Sequence, residues 1–142
     1  MALLGFFNRI HGFPLDRNPD PVAVAQLHVY SVHLHHHLLP QLGLFDSFDV
    51  HFVAPGSLGR DILGTYITGS WQQPAVLLDL QTCREIARQK WLKRSFVNNS
   101  TVVHELAHAI QDAYGLPYAE NEAEDFAQEF CRHGVLTNFW RR

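Results

Sequence analysis

A pair of histidines four residues apart is the most informative feature of this sequence for its fold. The sequence His104-Glu-Leu-Ala-His108 lies within an apolar stretch from Val102 to Ile110. On a helix, residues four apart lie about 40° apart around the axis and one turn along it. Both imidazoles can therefore offer a nitrogen to the same ion, and the carboxylate of Glu105 can reach a water molecule on that ion. The spacing predicts a helix that carries a metal site.

The distribution of apolar residues along this helix supports the prediction. With His104 at 0°, His108 lies at about 40° and the apolar side chains lie roughly between 140° and 240°. This apolar stripe consists of Val102, Leu106, Ala109, Ile110 and Ala113. The stripe would face the core while the histidines face a cleft. We expect one of the polar residues 98–100 to cap the helix and Gly115 to follow its end.

Length and composition narrow the class of protein. We expect residues 1–142 to form a single domain with an irregular lead-in over residues 1–20. A formal net charge of −3 does not suit nucleic-acid binding. Cys83 and Cys131 lack a zinc-type spacing and are expected to be free thiols in a reducing compartment. The apolar residues 1–10 do not form a signal peptide, and no apolar run is long enough for a transmembrane segment, so we expect a cytoplasmic protein.

The segments upstream of the histidine pair predict a small α+β domain. A helix should begin after Asp20, with Pro21 in its first position, and end near Leu39. Strands are expected over residues 48–53, 62–68 and 75–80, the last buried on both faces because it is nearly all apolar. The segment 69–74 is expected to be a loop.

The next segment predicts a basic helix. Thr82 and Glu85 form a capping box, which predicts a helix from there to about Arg94. Its basic residues are Arg84, Arg88, Lys90, Lys93 and Arg94. A solvated face is the favoured interpretation of this basic run, and a patch for an acidic substrate or partner is the alternative.

A second histidine cluster lies at the end of the first predicted helix. It contains His28, His33, His35, His36 and His37. The spacing of His33, His36 and His37 would allow a second metal site. No carboxylate stands at helical spacing beside them, so an exposed polar face at the end of the helix is favoured.

Zinc held by two helical histidines needs at least one more protein ligand. In the last predicted helix, which starts at Tyr118 or Ala119, only Glu120 and Glu124 lie beside the apolar stripe. A tight turn centred near Leu116 would make the two helices antiparallel neighbours. Position 124 mirrors position 108 about this centre, so Glu124 is the predicted third ligand. Glu120 is the alternative.

The two segments together resemble a known family. His104-Glu-Leu-Ala-His108, followed by Asn121-Glu-Ala-Glu-Asp-Phe-Ala127, resembles the gluzincin metallopeptidases, which bind zinc through two histidines of one helix and a glutamate of the next. The second segment is similar to the glutamate helix of the MtfA-type and anthrax-lethal-factor-type peptidases, and this similarity implies Glu124 as the ligand. It also resembles the ImmA/IrrE-type peptidases, whose register implies Glu120. The order of the elements is similar to that of the compact minigluzincins.

The resemblance implies a zincin-like fold: a backing helix, a sheet of three or four strands, the active-site helix and an antiparallel glutamate helix. It also implies a zinc-dependent metallopeptidase. One Zn²⁺ on His104, His108 and Glu124 would bind a water molecule, and Glu105 would accept its proton as general base. The alternative is a latent or inactive zincin-like domain that acts as a protein-binding or regulatory module. Glu105 speaks against this alternative, because a structural zinc site needs no base.

Several residues are assigned supporting roles in this hypothesis. A peptide substrate would pair with an exposed edge strand, supplied by residues 62–68 or 75–80. Tyr114 and Tyr118 are candidates for stabilising the oxyanion. The side chains expected to orient the ligands are Gln111, Asp112 and Gln128.

Overall fold

Helices and strands mix along the chain in the computed structural model, which describes residues 9–68 and 73–141. The predicted α+β class is confirmed. The helices are α1 (Pro21–His37), α2 (Leu39–Leu42), α3 (Leu80–Gln89), α4 (Arg94–Ala113) and α5 (Glu120–His133). The strands are β1 (Arg9–Ile10), β2 (Phe13–Pro14), β3 (Asp49–Phe52), β4 (Gly64–Ile67) and β5 (Ala75–Leu78). None of the described helices is both long and apolar enough to cross a membrane.

The main sheet has three strands in the order β3-β5-β4. The central strand β5 runs parallel to β3 and antiparallel to β4. All four residues of β5 are buried, which confirms the expectation from its apolar sequence. Because β5 has a neighbour on both sides, it cannot accept a further strand, and the prediction that it could offer an edge is wrong. Strand β4 is an edge of the sheet.

Within the described residues 9–68 and 73–141, no strand pairs with the outer edge of β4. On the inner side, the backbone N–H of Asp79 donates to the carbonyl of Leu63 at 2.9 Å. Backbone groups alternate in direction along an antiparallel strand. Leu63 and Thr65 therefore point their backbone groups toward β5, whereas Gly64 and Tyr66 point theirs away from it.

Helix α1 begins as predicted and lies against α4. The Asp20 side chain caps it by accepting a hydrogen bond from the N–H of Val22 at 2.9 Å. The helix ends at His37, and the chain then forms the short helix α2, which contains Pro40 and ends at Gly43 (φ 66°). Helix α1 packs on the short helix α2 and on α4, so it backs the helix that carries the histidine pair. On another side it borders strand β3 along a groove.

Helix α3 begins two residues before the predicted capping box. Its cap is the buried Asp79, whose carboxylate accepts hydrogen bonds from the N–H of Thr82 at 3.0 Å and from its hydroxyl at 2.8 Å. The same carboxylate accepts the N–H of Gly56 at 2.8 Å. The prediction that Thr82 and Glu85 form a capping box is wrong because Asp79 reaches the free N–H groups first. The helix ends at Gln89 rather than near Arg94.

Helix α4 is longer than its sequence predicts. It begins at Arg94, and residues 98–100 lie inside it rather than at its cap. Arg94 forms an ion pair with Asp20, which joins the starts of α4 and α1. The helix ends at Ala113, with Gly115 (φ 64°) in the turn that follows, as predicted.

Among the described helices, α4 and α5 pack against each other most extensively. The apolar stripe of α5 is buried, and its members are Ala123, Phe126, Ala127 and Phe130. Phe139 and Trp140 close the core from the C-terminal side, with ring centroids 5.5 and 6.1 Å from that of Phe126. This packing fixes the position of α5 against the histidine-bearing helix.

Candidate metal centre

Two histidines of α4 and one glutamate of α5 converge on one point. The Nε2 atoms of His104 and His108 are 3.1 Å apart. The carboxylate of Glu120 lies 2.7 Å from Nε2 of His108 and 3.3 Å from Nε2 of His104. One ligand atom from each of the three residues falls within 4.8 Å of the others. These residues form a group that could hold a metal ion.

The spacing of the group matches a zinc site. Zinc binds histidine nitrogen and carboxylate oxygen at about 2.0–2.2 Å in a tetrahedron, so its ligand atoms lie roughly 3.3–3.5 Å apart. The observed 3.1 and 3.3 Å separations are close to these values, and the 2.7 Å separation between Glu120 and His108 would have to widen by about 0.6 Å. Three protein ligands also leave the fourth position of the tetrahedron free.

Gln111 orients the ring of His108. This histidine is fully buried, and its Nδ1 atom lies 2.8 Å from the side-chain oxygen of Gln111. The amide nitrogen of Gln111 donates to the carbonyl of Ala119 at 3.0 Å, so its oxygen must face the histidine. Nδ1 therefore carries the proton, and Nε2 presents a lone pair to the metal position.

Glu124 plays the corresponding role for His104. Its carboxylate accepts a hydrogen bond from Nδ1 of His104 at 2.8 Å. Gln128 donates to the same carboxylate at 2.7 Å, and Arg132 in turn donates to Gln128 at 2.7 Å. The hydrogen bond with His104 lowers the pKa of Glu124, and the charge of Lys90 adds to this effect. A carboxylate behind a metal-binding histidine fixes its tautomer and raises its basicity.

Because of these hydrogen bonds, the three converging groups can bind a cation. With both Nδ1 atoms protonated, the two Nε2 lone pairs and the Glu120 carboxylate face one another. Such acceptors repel each other unless a proton or a metal ion lies between them. Burial acts to lower the pKa of His104, but the hydrogen bond with Glu124 and the charges of Glu105 and Glu120 raise it above its ordinary value. The centre attracts positive charge.

The structure brings Glu120 rather than Glu124 to the metal position. Glu124, the predicted ligand, contacts the opposite nitrogen of His104 and lies outside the group of three. Position 124 lies opposite position 108 only if both arms of the turn are helical. Residues 116–119 are instead non-helical, and Ala119 is extended (φ −137°, ψ 105°). Extended chain advances about 3.3 Å per residue and helix about 1.5 Å, so α5 starts further back along α4 and Glu120 meets His108.

The predicted base Glu105 lies in the wall of the same cleft. Its side chain is 7% exposed, and burial raises its pKa to about 7, with the charge of Glu120 acting in the same direction and that of His104 opposing it. Proton transfer is most efficient when the pKa of the base lies near the working pH. A methyl group at Gly64 would lie 3.5 Å from Cγ of Glu105, so β4 passes directly beside this carboxylate.

Two tyrosines stack near His108, and one of them was missed by sequence reasoning. The Tyr118 ring lies parallel to that of His108 with centroids 4.1 Å apart, and its hydroxyl donates to Glu120. The Tyr66 ring, on β4, stacks on the same histidine at 5.8 Å. Burial raises the pKa of both phenols, so both keep their protons. No local signal in the sequence marks Tyr66, because only the sheet brings it to α4.

Two other candidates lie away from the metal position. Tyr114 is exposed and stacks on Trp140, with ring centroids 6.3 Å apart. Asp112 accepts a hydrogen bond from the Thr68 hydroxyl at 2.8 Å and so ties the end of β4 to α4. Of the side chains expected to orient the ligands, Gln111 contacts a histidine directly and Gln128 contacts Glu124.

A cleft of about 610 Å³ lies along the group. Strand β4 and the residues before it form one wall, and one face of α4, from Phe96 to Glu105, forms the other. Tyr118 and Glu120 line its metal end. Lys90 and Leu92, from the turn between α3 and α4, line it as well. An extended chain lying between the two walls would pass the open edge of β4.

The second histidine cluster does not form a comparable group. Among residues 9–68 and 73–141, the only cluster of three His, Cys, Asp or Glu side chains close enough to share an ion is the one described above. The His33 and His37 rings contact each other with centroids 4.6 Å apart. His35 bonds to the Ser31 carbonyl and the Ser47 hydroxyl. The cysteines Cys83 and Cys131 are free thiols.

Comparison with known proteins assigns no family to this chain. The sequence matches no family model, and comparison with curated proteins and with solved structures returns no significant match.

Proposed function

We propose that this protein is a zinc-dependent metallopeptidase of the gluzincin type. The observation that supports this most strongly is the convergence of His104, His108 and Glu120 within 4.8 Å, with Glu105 in the wall of the same cleft. In this proposal the zinc ligands are the two Nε2 atoms and the carboxylate of Glu120. Glu124 acts as the group that orients His104. A zincin-like fold is part of the same proposal.

The roles of the chain's own residues follow from their positions. Zinc supplies a Lewis acid that polarises a carbonyl and lowers the pKa of water. Glu105 accepts the proton of the attacking water and returns it to the leaving amine, a task suited to its pKa of about 7. Gln111 and Glu124 keep both imidazoles in the tautomer that binds metal. Tyr66 and Tyr118 line this end of the cleft, and their hydroxyls are our candidates for supporting an oxyanion.

The open edge of β4 supplies the binding surface for a peptide. Gly64 and Tyr66 direct their backbone N–H and C=O groups away from β5, and the strand forms one wall of the cleft. An extended peptide can add to such an edge through main-chain hydrogen bonds. Gly64 has no side chain, so the strand itself can lie close to Glu105. This arrangement favours a peptide or protein substrate.

The variant Glu105→Gln tests the proposal. The zinc-loaded variant should keep one zinc ion per chain, measured by mass spectrometry under native conditions, and lose cleavage of a fluorogenic casein. General base catalysis of this kind contributes about 10²–10⁴-fold to the rate. Glu129→Gln makes the same chemical change on the exposed face of α5 and should cleave like the wild type. If Glu105→Gln cleaves as fast as the wild type, the role given to Glu105 is wrong.

The same experiment addresses the alternative function. A wild-type protein that binds one zinc ion per chain and cleaves neither casein nor a diverse peptide library would be a zinc-bearing binding module. A protein that binds no zinc at micromolar concentration would overturn both the metal centre and the hydrolase.

A further inference from the structure

The turn between α3 and α4 presents an exposed tryptophan in an unfavourable backbone conformation. Trp91 has a φ of 56° and is 96% exposed. Its backbone N–H donates a hydrogen bond to the carbonyl of Arg88 at 3.4 Å. The N–H of Leu92 donates to the carbonyl of Ala87 at 2.9 Å. This is the Schellman pattern of helix termination, in which the left-handed position is usually glycine. A bulky residue with a positive φ is a genuine outlier in backbone conformation.

In the part of the chain that the structure describes, the exposed ring gains no burial that would compensate for this choice of residue. Glycine would adopt the same backbone conformation without steric cost. Residues that break a local rule without a structural gain are concentrated at functional sites. The exposed ring is therefore better explained by a ligand than by folding.

The turn lies at the rim of the cleft that holds the metal centre. Lys90 and Leu92, the two neighbours of Trp91, both line that cleft. Arg88, Lys90 and Lys93 are exposed, so the tryptophan stands among three cations. We call the segment 88–93 the basic rim. The metal end of the same cleft carries the carboxylates Glu120 and Glu124. At the rim end, the carboxylate of Asp61 lies 4.0 Å from the guanidinium of Arg60, so the surplus charge there is positive and opposite to that of the metal end.

The basic rim lies at a defined distance from the proposed reaction centre. Phe96 and His104 both line the cleft and are eight positions apart on α4, which corresponds to about 12 Å along the helix axis. An extended peptide covers this distance in about four residues. Residues 61–63, just before β4, line the rim end of the cleft. A peptide antiparallel to β4, the slightly more stable pairing, would therefore place its C-terminal side there.

We propose that the basic rim is a docking site for the substrate, and that it binds an apolar residue flanked by acidic residues roughly four to six positions C-terminal to the cleaved bond. This inference rests on the proposed peptidase function. Trp91 would pack on the apolar side chain, while Lys90 and Lys93 would pair with the acidic ones. An anionic membrane would also suit an exposed tryptophan among cations. The continuity of the rim with the cleft favours the peptide.

Three peptides with one common cleavable core test this proposal. Their C-terminal tails read Asp-Phe-Glu, Gly-Ser-Gly and Lys-Phe-Lys. Zinc-loaded wild-type protein should cleave the acidic peptide with a KM about tenfold below that of the basic one, the size expected from two exposed ion pairs and one aromatic contact. The preference should weaken as the salt concentration rises. The double variant Lys90→Glu/Lys93→Glu should prefer the basic tail.

Variants of the rim separate docking from folding. Trp91→Gly keeps the left-handed turn, so its unfolding in urea should match or exceed that of the wild type, while the advantage of the acidic tail falls. Arg17→Glu changes an exposed cation that does not line the cleft, and the order of the three peptides should stay the same. Equal KM values for the three tails, or the same preference in the charge-reversed variant, would overturn the docking site.

A binding measurement distinguishes the failure of this inference from the failure of the proposed function. Fluorescence anisotropy of the labelled acidic peptide on Glu105→Gln protein does not require turnover. Binding that depends on Trp91, with no cleavage by the wild type, would leave the docking site standing and overturn the peptidase. Cleavage without any dependence on the tail would support the peptidase and overturn the docking site. Sedimentation with phosphatidylserine vesicles that is lost in Trp91→Gly, without a tail preference, would reassign the rim to a membrane.

Discussion

The side chain of Gln111 holds the ring of His108 through a hydrogen bond of 2.8 Å to Nδ1. Its amide nitrogen is engaged by the Ala119 carbonyl at 3.0 Å, so one residue of α4 orients a ligand and ties down the start of α5. We expect Gln111→Ala to weaken zinc affinity about 10- to 100-fold. Competition with a chromogenic chelator measures this. Gln26→Ala, on an exposed face of α1, should bind zinc like the wild type. Unchanged affinity in Gln111→Ala would remove the orienting role.

Replacement of each glutamate separately distinguishes the ligand from the group that orients it. Glu120 lies at the metal position, whereas Glu124 lies behind His104. We expect Glu124→Ala to lower zinc affinity about 10- to 100-fold, the usual effect of losing a supporting partner. Glu120→Ala should lower it beyond that range because it removes one of three protein ligands. If Glu124→Ala has the larger effect, the mirror argument identified the ligand correctly and the described geometry is not that of the loaded site.

Gly64 allows β4 to approach α4 closely. A methyl group at this position would lie 3.0 Å from Cγ2 of Thr101 and 3.1 Å from the Leu77 carbonyl. We expect Gly64→Ala to destabilise the fold by about 1–3 kcal/mol through overpacking, measured by urea denaturation. The activity should fall by more than the loss of folded protein explains, because the strand would move away from Glu105. Adding Thr101→Ser removes the nearest atom and should restore part of the stability. No rescue would show that Leu77 dominates the clash.

Cys83 should resist alkylation in the folded protein. It is fully buried, and burial raises the pKa of its thiol to about 12. At pH 8 only about one thiol in 10⁴ would be ionised, against roughly a quarter for an ordinary cysteine. Since the folded pKa is the higher one, the buried thiol contributes stability fully below about pH 8.5, and this contribution is lost as the pH rises toward 12.

The alkylation rate is best measured in Cys131→Ser, in which Cys83 is the remaining thiol. Mass spectrometry after treatment with iodoacetamide at pH 8 should show slow modification in buffer and rapid modification in urea. Equal rates in the two conditions would mean that α3 opens readily and does not protect the thiol.

Sequence reasoning was most successful where one element contains all the necessary information. The positions of His104, Glu105 and His108 on one helix follow from helical periodicity, and so does the burial of the α5 stripe. The three strands of the main sheet were located within a few residues because apolar runs bounded by turn residues mark them. Errors appeared at two helix starts. Asp79 caps α3 in place of Thr82, and α4 begins at Arg94, which pairs with Asp20, rather than at residues 98–100. Those contacts depend on residues outside the helices they begin.

Residue spacing alone predicted a helix with two imidazoles one turn apart and the carboxylate of Glu105 next to the first of them. Helical geometry converts such spacing into direction without help from the rest of the chain. Three further features became visible in the packed fold: Glu120 meets the histidines, β4 rather than β5 is an edge strand, and Tyr66 stacks on His108. Each of these depends on how far a non-helical connection travels or on which strands become neighbours. Such distances arise from the packing of several elements together, and no local pattern of residues encodes them.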